Sequence, residues 1–360
     1  MKPIQLHLFE TFEDQYGDKK NAGHNLSDCD LKSYDHYIVA TSGGKDSFGC
    51  IAYLLMNDIP KNKIELWHHC IDGKQRANGS HDFMDWPVTE DYVRRVAAAF
   101  GIRLFFSWKQ GGFKREMLRQ NALTAPNHFE APDPNDPDNI IECSIGGVRG
   151  KKNTRLKFPQ VCADLKRRWC SAYLKIDVCT AAINNQPRFL NKRALVLTGE
   201  RAEESPGRAK YKAFEPDRSD RRYGKKIVRH VDHLRPVHQW DEQKVWDAMK
   251  EFKLVPHPCY RLGWNRLSCI SCIFGSRNQW ASIYEIWPQK AEEIYKFERE
   301  FGFTIHREKS VMDQINEGSP YPDMDPELVK MGLSMTYEDK IFTSNWQLPA
   351  GAFGENVGPN

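Results

Sequence analysis

Residues 37–55 read YIVATSGGKDSFGCIAYLL. The β-branched run HYIVAT, stopped by a turn signal, predicts a buried strand, and DSFGCIAYLLMN carries apolar residues at helical spacing. The turn SGGKDS therefore joins a strand to a helix. Gly43 and Gly44 open backbone angles closed to other residues and let a ligand approach the main chain. The first amides of the helix point outward without internal acceptors, which favours anions and above all phosphates. Lys45 adds a positive charge, Ser42 and Ser47 add hydroxyls, and Asp46 stands in the first turn. This is not GxxxxGK[ST], because the spacing differs.

Outward from this turn, KIELWHHCIDG (63–73) and RLFFSWK (103–109) predict further strands, with VTEDYVRRVAAAFGI (88–102) a helix between them. GGFKREMLRQN begins another helix, and the Pro/Asp-rich stretch 125–139 predicts a mobile surface loop. WCSAYLKIDVCTAAINN (169–185) is helical in pattern, and RALVLTGERAEES (193–205) is a strand running into a polar turn. QWDEQKVWDAMKEFKL (239–254) predicts an amphipathic helix capped by Asp241, and 279–302 one or two helices broken near Pro288. The last fifty residues show no clear pattern. Alternating strands and helices predict an α/β fold, a parallel sheet with helices on both faces. In such sheets ligands bind beyond the carboxyl ends of the strands. Three turns meet there: SGGKDS, the Asp72 turn, and the turn containing Gly199 and Arg201.

The 360 residues carry a net charge of +4, with 40% hydrophobic and 28% charged residues. No stretch is apolar enough to span a bilayer, and the first residues lack a signal-peptide core, so a cytoplasmic protein without a membrane partner is expected. Charge is unevenly placed. Residues 147–169 hold eight Lys or Arg against one acid, and residues 201–229 hold ten. Solvated loops are one reading of these runs. The other is a basic rim for a polyanion such as DNA or tRNA, with Arg167, Arg168, Arg221 and Arg222 among its contacts.

Ten cysteines in a cytoplasmic chain point to core thiols, metal ligands or sulfur chemistry rather than disulfides. Cys259, Cys269 and Cys272 form a CxxxxxxxxxCxxC pattern, which favours a metal over a redox pair. Cys170, in RRWCSAYLKIDV, is the candidate fourth ligand. A [4Fe-4S] cluster and Zn²⁺ are both compatible with the set, and Cys162 in the first basic run is a candidate sulfur carrier.

The SGGKDS turn resembles the PP-loop of the ATP pyrophosphatases and of the phosphoadenosine phosphosulfate (PAPS) reductase superfamily, whose fold is adenine nucleotide alpha hydrolase-like. TGERAEESPGRA resembles the segment of those proteins that lines the nucleotide pocket. RPVHQWDEQKVW, with Pro236, Trp240 and Trp246, is similar to the segment that precedes their CxxC. The resemblance implies ATP held by Ser42, Gly43, Gly44, Lys45, Asp46, Ser47, Asp72, Gly199, Glu204, Ser205 and Arg208. It implies Mg²⁺ on the triphosphate and catalytic roles for Lys45, Asp46 and Arg201. A tandem Cys-Cys is replaced here by Trp169-Cys170, with Cys259 in position to supply the missing ligand. No cysteine follows Cys272, so the C-terminal nucleophile of the sulfonucleotide reductases is absent. The combination looks most like the PP-loop enzymes of DNA phosphorothioation (the DndC/SspD type), which implies a cysteine desulfurase and other modification-complex subunits as partners. A tRNA-thiolating enzyme, a sulfonucleotide reductase-like protein and a non-catalytic nucleotide sensor are the alternatives. On this reading the chain divides into an N-terminal segment (1–36), a PP-loop domain (37–274) and a helical C-terminal extension (275–360).

Overall fold

The run HYIVA forms β1 (His36–Ala40), the middle of the molecule. The computed structural model describes residues 25–74, 83–162, 164–267, 269–322 and 324–355, so most of the segment 1–36 lies outside the described residues. Beyond β1 come α1 (Lys45–Met56), β2 (Ile64–Cys70), α2 (Thr89–Phe100), β3 (Arg103–Lys109) and α3 (Gly112–Met117). Next are β4 (Asn127–Pro132), β5 (Ile140–Ile145), α4 (Trp169–Ser171), a π-helical turn (Ala172–Ile176) and α5 (Asp177–Asn184). The strands β6 (Arg193–Leu197), β7 (Phe214–Pro216) and β8 (His230–Leu234) complete the sheet.

The sheet order is β5-β4-β3-β2-β1-β6-β8-β7. The five central strands, β3 to β8, run parallel. The edge strands β4, β5 and β7 pair antiparallel. Because successive strand residues face opposite sides, each central strand serves two layers. Tyr37, Val39, Leu66, Leu195 and Leu234 pack in one core with α1, α2 and α6 (Glu242–Glu251). Ile38, Trp67, Val196 and Val231 pack in the other with Ala182 and Ile183 of α5. The expected α/β fold with helices on both faces is what the chain adopts.

One expectation is corrected. The stretch 125–139 is a β-hairpin arm, not a mobile loop: Phe129 and Ala131 alternate inward and are buried, while the Pro/Asp run forms only the turn, closed by Asp133 N–H donating to Asn139 O at 2.9 Å. The C-terminal helices are α8 (Arg277–Ile286), α9 (Pro288–Phe301), α10 (Val311–Glu317) and α11 (Pro326–Gly332), with a short α7 (Pro258–Arg261) before them. Trp280, Ile283, Ile294 and Val311 belong to the same apolar core as Phe48 and Leu54 of α1, so the extension shares the core of the sheet domain. Asp241 caps α6 as expected, accepting the Lys244 amide at 2.8 Å, and Pro288 opens α9.

At the amino end of the sheet, buried Glu65 accepts hydrogen bonds from Arg188 (2.8 Å to Nη2) and Trp67 Nε1 (3.0 Å), with His36 at 3.7 Å. Burial pushes this carboxyl up, but its partners outweigh burial and hold it at about 2, below its ordinary 4.5. A depressed carboxylate stabilises the fold fully above its unfolded pKa and loses that effect as pH falls toward the folded value. Stability is therefore expected to fall by about 3 kcal/mol between pH 4.5 and 2 on account of Glu65. Arg188→Ala should move this loss to higher pH in urea titrations followed across that range, and an unshifted profile would contradict the assignment.

Candidate functional site

Strand β1 leads to β2 and β3 on one side, and β6 leads to β8 on the other, so the strand order reverses between β1 and β6. Loops leaving such a switch point separate and leave a crevice at the carboxyl ends of the strands. Here the two loops are SGGKDS and the 198–208 turn.

Each is built by close approach. Gly43 has φ +79°, a conformation that favours glycine, and its N–H donates to Thr41 Oγ1 at 3.2 Å. Ser47 Oγ donates to Gly44 O at 2.8 Å and lies 3.3 Å from Thr41 Oγ1. Ser42 is half-buried, its Oγ beside Gly44. Gly199 lies flat on the start of α1: a Cβ there would stand 2.6 Å from Asp46 C and 2.9 Å from Ser47 N. Its requirement is thus backbone contact between the two loops.

An ion-pair chain joins them. Arg201 Nε donates to Asp46 Oδ1 at 2.7 Å, and Nη1 reaches Glu203 at 2.5 Å. Burial pushes the Asp46 carboxyl up, but Lys45 and Arg201 outweigh it and hold the group ionised. Glu204 accepts the Arg201 amide at 2.9 Å, pairs with Arg208, and lies 4.0 Å from Arg266. Ser205 Oγ accepts the Arg208 amide at 3.3 Å. Of the expected nucleotide residues, Ser42 to Ser47, Gly199, Glu204, Ser205 and Arg208 gather around this crevice. Asp72, at the end of β2, instead accepts the amides of Met84 (2.9 Å) and Asp85 (2.8 Å) and organises its own turn.

Lys45 is 3% exposed. Its Nζ donates to Asn265 O at 3.1 Å, lies 3.4 Å from Asp46 and 3.9 Å from Glu242, and sits over the rings of Trp246 and Tyr260. Thr41, Glu242, Tyr260, Asn265 and Arg266 were not anticipated. Thr41 immediately precedes SGGKDS and was detectable as one more hydroxyl. Nothing local marks the others, which arrive from about 200 residues away along the chain.

The expected metal ligands come together only in part. Cys272 and Lys175 act on both Cys170 and Cys269. The groups acting on Cys259 are Lys45 and Asp85, and Cys259 is fully buried in the main core. Burial pushes the Cys170 thiol up to about 11 and raises Cys259 and Cys269 as well. Among the described residues no three His, Cys, Asp or Glu side chains form a metal-holding group. This arrangement does not fit a four-thiolate cluster, and no chemical step is assigned to one. Cys162 is half-buried, its Sγ accepting the Asp164 amide at 3.3 Å.

The basic runs also separate. Arg222 is paired with Asp220 and Asp232, and Arg229 is buried against Ser219 and Asn184. Both border the amino end of β8, so Arg221 and Arg222 lie at the opposite end of the sheet from the crevice, contrary to the expectation of one shared cleft. In the first run, Arg155 pairs with buried Glu116 at 3.5 Å. Arg168 lies over the Phe274 ring, close enough to Arg208 and Arg266 for their charges to act on it.

Gly199→Ala should cost roughly 1 to 3 kcal/mol through overpacking against Asp46, read as a lowered thermal midpoint; an unchanged midpoint would show that the loops separate freely. Cys259→Ser should destabilise the fold by roughly 1 to 3 kcal/mol by placing a hydroxyl in the apolar core, with no change in bound metal. Should wild type carry iron or zinc that the variant loses, Cys259 is a ligand after all.

Three kinds of likeness accompany this geometry. Residues 151–274 match the family described as phosphoadenosine phosphosulfate reductase domain, a span that holds the 198–208 turn and the cysteines but begins after SGGKDS. An uncharacterized 37.8 kDa protein encoded in the gpa 5′ region of Escherichia phage 186 is 25% identical over 278 residues, 73% of this chain and 74% of that protein. Among solved structures, Candida glabrata FMN adenylyltransferase in complex with ATP aligns at TM-score 0.34 with 11% identity over 66% of this chain, which spans about half (53%) of that enzyme. The same enzyme with FAD and inorganic pyrophosphate aligns at TM-score 0.33, with 12% identity over 66% of this chain and 55% of that one. From residue 151 to 274, then, the chain is similar to a PAPS reductase domain, set in a mostly parallel α/β sheet whose switch point carries SGGKDS.

Proposed function

We propose that the chain is a PP-loop ATP pyrophosphatase that adenylates a nucleic-acid phosphate so that sulfur can replace one of its oxygens. The observation that carries the nucleotide half is the position of SGGKDS: a strand-to-helix turn rich in glycine and hydroxyls, at the switch point of a parallel sheet. An oxygen of the acceptor attacks the α-phosphorus of ATP, the bond to the β-phosphate bridging oxygen breaks, and pyrophosphate leaves with Mg²⁺. The terminal sulfur of a persulfide supplied by a cysteine desulfurase then attacks the activated phosphorus and displaces AMP, and a second thiol cleaves the resulting disulfide, leaving sulfur on the phosphorus and a thiol-derived disulfide as the oxidised product. Lys45 and Arg201 stabilise the charge that develops on the leaving group.

The acceptor half is supported by Arg168, Arg208 and Arg266, which converge beside Cys170 with Glu204 as the carboxylate partner of Arg208 and Arg266. Exposed Lys151, Lys152, Lys157, Lys166 and Arg167 extend positive charge away from this point along the first basic run. Such a row neutralises successive phosphates, and DNA is the acceptor this reading names, with tRNA as the other candidate.

Purified protein, alone or with its partners, is expected to convert ATP to AMP and pyrophosphate; ADP and orthophosphate as products would sink the assignment. Lys45→Ala should slow turnover about tenfold or more by removing a charge-assisted contact. Arg167→Glu with Arg168→Glu should impair sulfur incorporation more than ATP binding, whereas the same changes at Arg221 and Arg222 should leave incorporation nearly intact. Mass spectrometry of digested DNA and tRNA decides the acceptor: phosphorothioate dinucleotides lost with Lys45→Ala identify DNA, and a lost tRNA thionucleoside identifies RNA.

A further inference from the structure

The Lys45 amide of the SGGKDS turn is not open in this conformation. The Tyr260 hydroxyl accepts the Lys45 N–H at 3.0 Å and the Leu267 N–H at 3.1 Å. It also stands 3.1 Å from where a Gly44 Cβ would be, and Leu267 covers Gly43 and Gly44 from the same side. An oxygen that accepts the first helical amide beside two glycines holds the position a phosphate oxygen takes at such a turn. Lys45 is engaged by the same segment, through Asn265 O at 3.1 Å.

The segment is itself fastened from outside by the C-terminal residues. Gly351 N–H donates to Tyr260 O at 2.7 Å, and a side chain on Gly351 would collide with Trp264 O. Asn265 Nδ2 donates to Glu355 O, and the Glu355 carboxylate accepts from Ser276 and Asn278 at the start of α8.

We propose that Tyr260 is a built-in competitor for the nucleotide phosphates, held in the phosphate loop by a C-terminal strap ending at Glu355, and that nucleotide enters when residues 257–267 lift away. This rests on the nucleotide-binding reading of SGGKDS. A ligand that must displace an intramolecular group binds more weakly by the fraction of time the site is open. Loosening the plug therefore strengthens binding, whereas losing an ordinary structural or ligand-contacting tyrosine weakens it.

The test is calorimetric titration of the full chain with Mg·ATP, comparing wild type, Tyr260→Phe and Glu355→Ala. Tyr260→Phe keeps the ring packing and deletes the competing oxygen; Glu355→Ala releases the strap without touching the loop. Each should tighten Mg·ATP binding about two- to tenfold, the equivalent of one or two hydrogen bonds. Hydrogen exchange without nucleotide should show the Leu267 amide exchanging faster in Glu355→Ala. Faster exchange with unchanged or weaker ATP binding in both variants would overturn the proposal. No ATP binding by wild type or either variant would overturn the nucleotide reading itself, and the proposal with it.

Discussion

The contact on which the site depends is the 2.7 Å ion pair between Asp46 at the start of α1 and Arg201 after β6. Parallel strands diverge at a switch point, so the loops leaving β1 and β6 have no ladder to hold them together. The pair supplies that tie in a buried setting, and Gly199 makes it possible by letting backbone touch backbone. Removing one member of a buried pair strands the other charge, which makes the connection all-or-none.

Around this pair the charges nearly cancel. Lys45, Arg201, Arg208 and Arg266 stand among Asp46, Glu203, Glu204 and Glu242. A triphosphate entering such a neutral crevice needs positive charge from elsewhere. On the proposed reading that charge would come from a divalent cation on the triphosphate and from Arg168, since the two Asp46 oxygens already face Arg201 and Lys45. Within the second basic run, Arg201, Arg208, Arg218, Arg222 and Arg229, five of its ten cations, have internal partners. The first run exposes the larger share of its cations, six of eight against six of ten, and the second lies partly at the opposite end of the sheet, which is why the acceptor reading rests on the first.

The C-terminal third gives the crevice its cover. Helix α6 contributes Glu242 and Trp246 beneath Lys45, and residues 257–267 contribute Tyr260 and Asn265 above it. Glu242 accepts from Trp246 Nε1 at 3.0 Å and from the Phe353 amide at 3.3 Å, so one carboxylate links the lysine, the helix and the strap. Cys269 and Cys272 follow the covering segment directly. Any ligand those thiols take would act on the same piece of chain.

Local pattern was enough for the sheet and its first loop. The short apolar runs in HYIVA and RLFFSWK, helical spacing after Lys45, and the glycines of SGGKDS each depend on neighbours a few residues away, and all appear where the sequence places them. The hairpin β4–β5 was hidden because Pro and Asp dominate its turn, while its inward positions, Phe129 and Ala131, are too few to set a period. The five-residue β8 was hidden because His230, Asp232 and His233 are polar, His230 pairing with Asp232 while Asp232 and His233 find Tyr34 and Thr198 from distant parts of the chain. Which cations are neutralised, why Gly199 is a glycine, that Cys259 is buried in the main core, and that a tyrosine hydroxyl accepts the Lys45 amide were decided by tertiary structure. Each depends on which groups meet across a hundred residues or more. Composition records that a charge or a hydroxyl exists, and only packing assigns its partner.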